Sequence, residues 1–416
     1  MKIGFFTDTY TPQINGVVHS IRLFKEALEQ RGHEVYVFAP DPDHHEDGEV
    51  TVRFPSIPFM FQKEMRVALP ISMDALRVLD EVDFDIVHSH DPFSIGLFGL
   101  NVARRHRVPY VHTYHTLYPE YVHYIWETRL TRKLAEVLSR EFCDACDSII
   151  APSSKVEGYL YDWGVRRRIE VISTGVDIDR YANPDPSRVV AIKERLAIPA
   201  DEKILMFMGR LGREKNVELL LHALWHTRLP KVRLLICGDG PYRSELESLS
   251  RELGIESQVT FAGYLQGADS VAAYHLADAF AFASTTETQG LVIAEAMAAG
   301  LPVIAVRDPA TCDFVTHEVN GLITPHRAES IAAAFDSLLA DEAMLRQYAQ
   351  SASEAVEAFS IARQAERLEN HYMATIAAYT PRRKIPSLSA LRSVLKRPGK
   401  RREGSVAYSP HLEKSS

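Results

Sequence analysis

Short apolar stretches alternate with helix-length amphipathic ones along almost the whole chain, and this alternation restricts the fold more than any other feature. Strands that are apolar on both faces need cover on both faces. A helix after each strand supplies it, so the pattern implies parallel sheets with helices on either side. In the first half the strand candidates are Ile3–Phe6, Val35–Ala39, Thr51–Phe54, Ile86–His88, Tyr110–His112, Ser148–Ala151 and Glu170–Ile172. Helices fall near 17–31, 72–80, 94–106, 128–145 and 153–162, with Gly32 and Gly164 as stop signals. Residues 173–186 carry Gly175, Asn183, Pro184 and Pro186 without an apolar period and read as a linker. A second series follows, with strands at 203–208, 232–237, 258–262, 279–283, 302–306 and 321–323. Its helices lie near 187–196, 216–228, 242–253, 269–276, 290–299 and 328–340, and 354–378 is helical by period. The expectation is an α/β chain of two Rossmann-like, doubly wound domains, 1–173 and 187–353, joined by the linker 174–186. Ligands of such sheets collect at the carboxyl ends of strands, so the cleft between the domains is the natural site.

Bulk properties narrow the partners. A chain of 416 residues exceeds one ordinary core. The net charge of −8 gives no reason to expect nucleic acid as a partner. No apolar run approaches the roughly 20 residues of a spanning helix, and Met1–Phe6 reads as a buried strand rather than a leader. Cys143, Cys146, Cys237 and Cys312 make no disulfide framework, so the cytoplasm is expected. The Cys143-x-x-Cys146 pair sits on a helical pattern and reads as buried helix face. Beyond Tyr379 the composition turns basic, from Arg382 to Arg402, against a single acid, Glu403, up to Gly404. That tail, 379–416, reads either as a disordered segment or as an anchor for an anionic membrane surface through 382–402. Residues 56–66 form an apolar loop with basic residues behind it, and 57–66 would also suit a lipid surface.

The densest chemical signal lies at 283–305. A strand ends at Ser284, a polar turn carries Glu287, and a helix starts near Gly290 and Leu291 and contains Glu295. Seven residues separate the two carboxylates. A phosphorylated sugar laid across this helix start would place phosphate on free N–H groups and hydroxyls near both carboxylates. Upstream, Gly209-Arg210-Leu211-Gly212-Arg213-Glu214-Lys215-Asn216 follows a strand, so Arg210 and Lys215 can meet the charge that grows on a leaving diphosphate. Gly238-Asp239-Gly240-Pro241 and Ala262-Gly263-Tyr264-Leu265 follow the next two strands, and the latter loop could hold a nucleobase by backbone groups.

In the first half, the loop Thr7–Asn15 leads to Gly16, which permits close backbone approach to a ligand. His115, after the strand at 110–112, could bond a sugar hydroxyl; it heads an aromatic and histidine cluster with Tyr118, Glu120, Tyr121, His123 and Tyr124. His88-Ser89-His90-Asp91 places two imidazoles on one strand face, with no further ligand to complete a metal set. Three Asp-x-Asp triplets, Asp41/Asp43, Asp83/Asp85 and Asp177/Asp179, do not stand out as metal sites.

Taken together, Glu287 and Glu295, the Gly209–Asn216 loop, Gly238-Asp239-Gly240-Pro241, Gly300-Leu301-Pro302-Val303 and Val171–Asp177 resemble the retaining family-4 glycosyltransferases over about residues 1–378. The resemblance implies a GT-B architecture, a C-terminal helix (354–378) crossing back to the first domain, a UDP-sugar donor and no required metal or other cofactor. It implies that Arg210 and Lys215 bind the diphosphate, Glu287 the sugar hydroxyls and Glu295 the ribose. Gly290 and Leu291 would support phosphate and sugar, Gly16 would line the diphosphate and His115 would stand beside the sugar. Within that family the start of the chain is most similar to bacterial diacylglycerol glycosyltransferases, in Phe6–Tyr10, Arg53–Pro58, Thr113–Thr116 and Tyr121–Tyr124. That implies a lipid acceptor and a protein held at the inner face of the cell membrane. Two places depart from the family pattern: Ser173 stands where proline is common, and Arg307-Asp308-Pro309-Ala310-Thr311 stands where a glycine-rich turn is usual.

Overall fold

The computed structural model describes residues 1–13, 15–41, 51–59, 62–69, 72–121 and 129–381. The expected uses of Asp43, His123, Tyr124 and the tail 382–402 fall outside these residues. The strands are β1 (Lys2–Phe6), β2 (Glu34–Pro40), β3 (Thr51–Phe54), β4 (Ser56–Phe59), β5 (Gln62–Ala68), β6 (Ile86–Ser89), β7 (Tyr110–Thr113), β8 (Ser148–Ala151) and β9 (Ile169–Val171). The second series is β10 (Lys203–Met208), β11 (Val232–Cys237), β12 (Val259–Gly263), β13 (Ala279–Phe282), β14 (Val303–Val306) and β15 (Gly321–Thr324). Two parallel sheets result, in the orders β3-β2-β1-β6-β7-β8-β9 and β12-β11-β10-β13-β14-β15. This is the doubly wound α/β arrangement that the alternation implies. In each sheet the strand order reverses once, between β1 and β6 and between β10 and β13. Such reversals open a crevice at the strands' carboxyl ends.

Alternation along the strands divides the first core. Phe6 and Val87 point to one side of the sheet, and Phe5 and Ile86 to the other. The second side is closed by the first helix, Gly16–Gln30, through Val18 and Ile21, together with Ala365, Leu368 and Tyr372 of the last helix, Ile361–Ala378. The C-terminal helix therefore returns to the first sheet. Arg31 Nη2 and His33 Nε2 reach Glu369 on it at 2.5 and 3.1 Å.

Three local readings change. Residues 56–59 and 62–66 are strand and not loop: β4 and β5 pair antiparallel, with Ile57 opposite Val67, and Arg66 Nε donates to Ser56 Oγ at 2.8 Å. Pro55 and Pro58 hide the strand signal. The linker contains a helical turn, Ile178–Ala182, capped by Asp177, whose carboxylate accepts from Arg180 N at 3.2 Å. The helical period at 354–378 belongs to separate pieces, the end of Glu342–Val356, a short turn Glu357–Phe359, and Ile361–Ala378. They part where the linker crosses: Val176 N donates to Phe359 O and Ile361 N to Val176 O, both at 2.9 Å. A Cβ on Gly175 would lie 2.3 Å from Ile361 Cα, so that crossing requires glycine.

Cys143 and Cys146 are both buried, and burial pushes both thiols up, as suits packed helix positions. Of the Asp triplets, Asp85 accepts from Lys2 N at 2.7 Å and Asp177 serves as the cap just described.

Candidate active site

The loops after β10 and β13 are sewn together. Asn216, in the left-handed region at φ 52°, donates from Nδ2 to Ala283 O at 3.1 Å. Ser284 Oγ and Thr286 Oγ1 donate to Glu214 O at 3.2 and 3.3 Å. This stitching brings Lys215 and Glu287 into a salt bridge, both partly buried. Arg210, on the same loop, is largely exposed and reaches Glu214 Oε1 at 3.5 Å. The neighbouring glycines shape this loop. A Cβ on Gly238 would fall 1.8 Å from Gly209 O, and one on Gly240 would fall 2.4 Å from Leu211 O.

Gly290 precedes the helix Leu291–Ala298 in the left-handed region at φ 82°, and no side chain caps that helix start. Its leading N–H groups are therefore available to an anion beside Lys215. Glu295, in the second turn, accepts from Tyr274 Oη at 2.7 Å. Tyr181 lies against the same carboxylate; burial first, and then the charge of Glu295, raise its phenol. Glu295, Tyr181 and Leu291 share a small cavity with His19 and Leu23 of the first helix, so that cavity joins the two sheets' layers. Gly263 stands at φ 72° with its carbonyl taken by Gly238 N at 2.8 Å, and Tyr264 beside it is exposed.

The Arg307–Thr311 stretch forms a short helix, Pro309–Cys312, capped by Asp308. Asp308 also makes a buried contact to the first sheet's layer. Lys155 Nζ, at the start of helix Ser154–Asp162, lies 2.7 Å from its carboxylate and 2.7 Å from Thr285 O. Burial still raises the Asp308 carboxyl, with Lys155 acting against it. Gln289 adds a two-pronged clamp, accepting from Thr174 N at 3.1 Å and donating to Thr174 O at 3.0 Å.

On the first sheet, Asn15 caps the first helix by accepting from Val18 N at 2.9 Å. Gly16 follows, and a Cβ placed on it would meet nothing within 4 Å. Gly16 thus faces open space. Beside it the reversal between β1 and β6 gathers polar groups. Asp8 accepts from Ser94 Oγ at 2.6 Å and from Ile95 N at 3.1 Å, capping the helix Ser94–His106. Asp91 accepts from Thr7 Oγ1 and Asp8 N, both at 2.9 Å. Burial, then the nearby Asp8, push the Asp91 carboxyl up to about 7. His115 Nε2 lies 3.0 Å from His90 Nδ1, and the two rings stack. Burial holds His115 down to about 4, and His90 lies well below its ordinary value. Both imidazoles are neutral near pH 7.

Of the residues expected from the sequence, Lys215, Glu287 and the Gly290–Leu291 helix start come together. Arg210 shares their loop, Glu295 lies one to two turns along the helix, and Gly263, with Tyr264 after it, ends β12, two strands away from β10. Gly16 and His115 belong to the first sheet. Sequence reading gave no role to Asp8, His19, Lys155, Asp308 or Gln289. It treated His90 and Asp91 as a strand end, although their position at a chain reversal was a usable signal. Among the described residues, no three His, Cys, Asp or Glu side chains converge as a metal site.

Residues 14–180 match the family described as Glycosyltransferase Family 4, and residues 190–355 match Glycosyl transferases group 1. An alpha-monoglucosyldiacylglycerol synthase of Streptococcus pneumoniae is 36% identical over 348 residues, covering 82% of this chain and 79% of that protein. A GDP-mannose-dependent alpha-mannosyltransferase of Mycobacterium tuberculosis is 32% identical over 332 residues, covering 78% and 84%. Anabaena Alr3699/HepE, solved in complex with UDP and glucose, superposes with a TM-score of 0.71 at 21% identity, covering 90% of this chain and 100% of that one. At that identity the likeness concerns the fold.

Proposed function

The chain belongs to glycosyltransferase family 4, and we propose that it is a retaining transferase moving a hexose from a UDP-sugar to the free hydroxyl of diacylglycerol. The observation that carries the transfer chemistry is the junction of Lys215, Glu287 and the uncapped helix start at the β10/β13 reversal. In this reading the diphosphate lies on the N–H groups of Leu291 and its neighbours, with Lys215 and Arg210 against its oxygens. As the bond from the sugar's anomeric carbon to the diphosphate oxygen breaks, the charge gained is met by groups already in place. The acceptor hydroxyl attacks from the same face, and its proton passes to the departing phosphate oxygen. Glu287 holds sugar hydroxyls and Glu295 the ribose. The fixed cations and the helix start supply the positive charge, so the proposal asks for no metal and expects activity to survive chelation.

The lipid acceptor is supported by the synthase likeness and by the surface of the first sheet's layer. On helix Arg129–Ala145, Leu130, Leu134 and Leu138 recur every four residues and are exposed, next to Arg132 and Lys133. Met73, Leu76 and Leu97 are exposed on nearby helices, with Met73 at 80% and Leu130 at 76%. An apolar stripe edged by cations suits an anionic lipid surface, and we propose peripheral binding there, with 57–66 and 382–402 contributing.

The test is a matrix of labelled UDP-glucose, UDP-galactose and GDP-mannose against diacylglycerol in mixed micelles, inositol phosphates and soluble sugars. Transfer of an α-linked hexose from a UDP-sugar to diacylglycerol is expected. Transfer only to soluble acceptors rejects the lipid claim. A β-linked product rejects retention. Donor conversion with no acceptor present indicates an epimerase instead.

A further inference from the structure

The first sheet places two imidazoles where only one proton can sit between them. His90 Nδ1 and His115 Nε2 are 3.0 Å apart. His90 is 1% exposed, lies against the rings of Phe5 and His88, and its Nε2 has no hydrogen-bond partner among the described residues. His88 is itself fixed at both nitrogens, Nδ1 by Tyr372 Oη at 2.5 Å and Nε2 by Thr113 Oγ1 at 2.7 Å. His90 therefore sits against a ring that the last helix holds in place.

Two proton arrangements are available to a neutral pair. In one, His115 Nε2 donates to His90 Nδ1, and His90 then carries its own proton on the buried Nε2, which no acceptor meets. In the other, His90 Nδ1 donates to His115 Nε2, and the buried Nε2 is left as a bare lone pair. An orphaned buried N–H is the rarer and costlier defect. We propose that His90 is a positioning residue that fixes the tautomer of His115, so that His115 Nδ1, which no protein group bonds among the described residues, carries a proton and donates into the cleft. The proposed role of that proton rests on His115 standing beside the transferred sugar.

The two tautomers give His115 opposite capacities. With Nδ1 protonated it donates a hydrogen bond to a sugar or acceptor hydroxyl oxygen and cannot remove a proton through that nitrogen. With Nδ1 bare it would be a base. The assigned tautomer leaves the acceptor's proton to the departing phosphate oxygen.

The experiment is two-bond nitrogen–proton correlation spectroscopy on full-length protein labelled with nitrogen-15 histidine, with His115→Gln assigning the ring. A protonated Nδ1 and bare Nε2 are expected for His115 at pH 7; the reverse pattern overturns the proposal. His90→Phe is expected to return His115 to the Nε2-protonated form and lower kcat about tenfold, with KM for the nucleotide sugar little changed. His90→Asn, whose amide can still donate from the Nδ1 position, is expected to restore both. An unchanged His115 tautomer in His90→Phe also overturns the proposal, and if that variant fails to fold the wild-type spectrum decides. The spectrum needs no substrate, so a different donor or acceptor would leave the tautomer standing and remove only its assigned use.

Discussion

Each sheet meets the cleft at a chain reversal, but with different ionisable groups. At β10/β13 Lys215 and Arg210 are reachable from solvent, Lys215 balanced by Glu287, and the adjoining helix start is uncapped. At β1/β6 His88, His90 and Asp91 are buried and His115 is half-buried, and the group is mostly neutral: desolvation holds the three histidines down and holds Asp91 up. A diphosphate arrives with its charge and gains more, so its site needs ions that remain ionised. In the proposed reaction the acceptor, a hydroxyl on a lipid, brings no charge, and a desolvated, hydrogen-bonding wall meets it at lower cost.

The sharpest way to break this contrast is to remove the cations. Lys215→Ala is expected to lower kcat about 10³-fold and Arg210→Ala about 10²-fold in a transfer assay. Arg210 is largely exposed, so its loss leaves thermal stability unchanged. Near-normal turnover in either variant removes the diphosphate from this loop.

A buried ion pair between the two layers ranks next. Lys155 and Asp308 are each about 93% buried, and removing one leaves the other a buried unpaired charge. Lys155→Ala is expected to cost about 3 kcal/mol in chemical denaturation. Lys155→Met with Asp308→Asn, which keeps an acceptor for Ala310 N, is expected to recover most of it. If the double variant is as unstable as the single one, the contact acts through packing and not through charge.

Gly16→Ala tests the first sheet's share of the donor. The added methyl meets no atom of the described residues within 4 Å, and alanine suits the first turn of a helix better than glycine. Thermal stability is expected to hold or rise slightly, while KM for the nucleotide sugar rises about tenfold. An unchanged KM places the diphosphate away from Gly16.

These residues differ in how far the sequence disclosed them. Fold and strand positions were readable because apolar strands in a doubly wound sheet carry an unbroken local signal. Lys215, Glu287 and Gly290 were readable because they lie on loops at strand ends, where special residue types stand out. The hairpin β4–β5 was hidden by its prolines. The Lys155–Asp308 pair was hidden because its partners lie 153 residues apart; the departure at Arg307–Thr311 was visible, but not what Asp308 would meet. His90 and Asp91 looked like a polar strand end, since nothing local says that a loop from β1 and the ring of His115 will bury them.

The smallest expected effect tests the first sheet's neutrality directly. Asp91 in the folded protein titrates near 7 because burial and Asp8 oppose its charge, against an ordinary value of 3.8. A carboxyl raised in this way favours folding while protonated in both states, below about pH 4. That contribution is lost as the pH climbs through 4 to 7, because the unfolded chain releases the proton first. Asp91→Asn cannot ionise, yet its Oδ1 can still accept from Thr7 Oγ1 and Asp8 N. The melting temperature of Asp91→Asn relative to wild type is therefore expected to climb from pH 4.5 to 7 by a few degrees, and to level off above that. A gap that is flat, or that widens toward low pH, would mean that Asp91 is ionised and stabilised in place, and the contrast between the two reversals would then rest on the histidines alone.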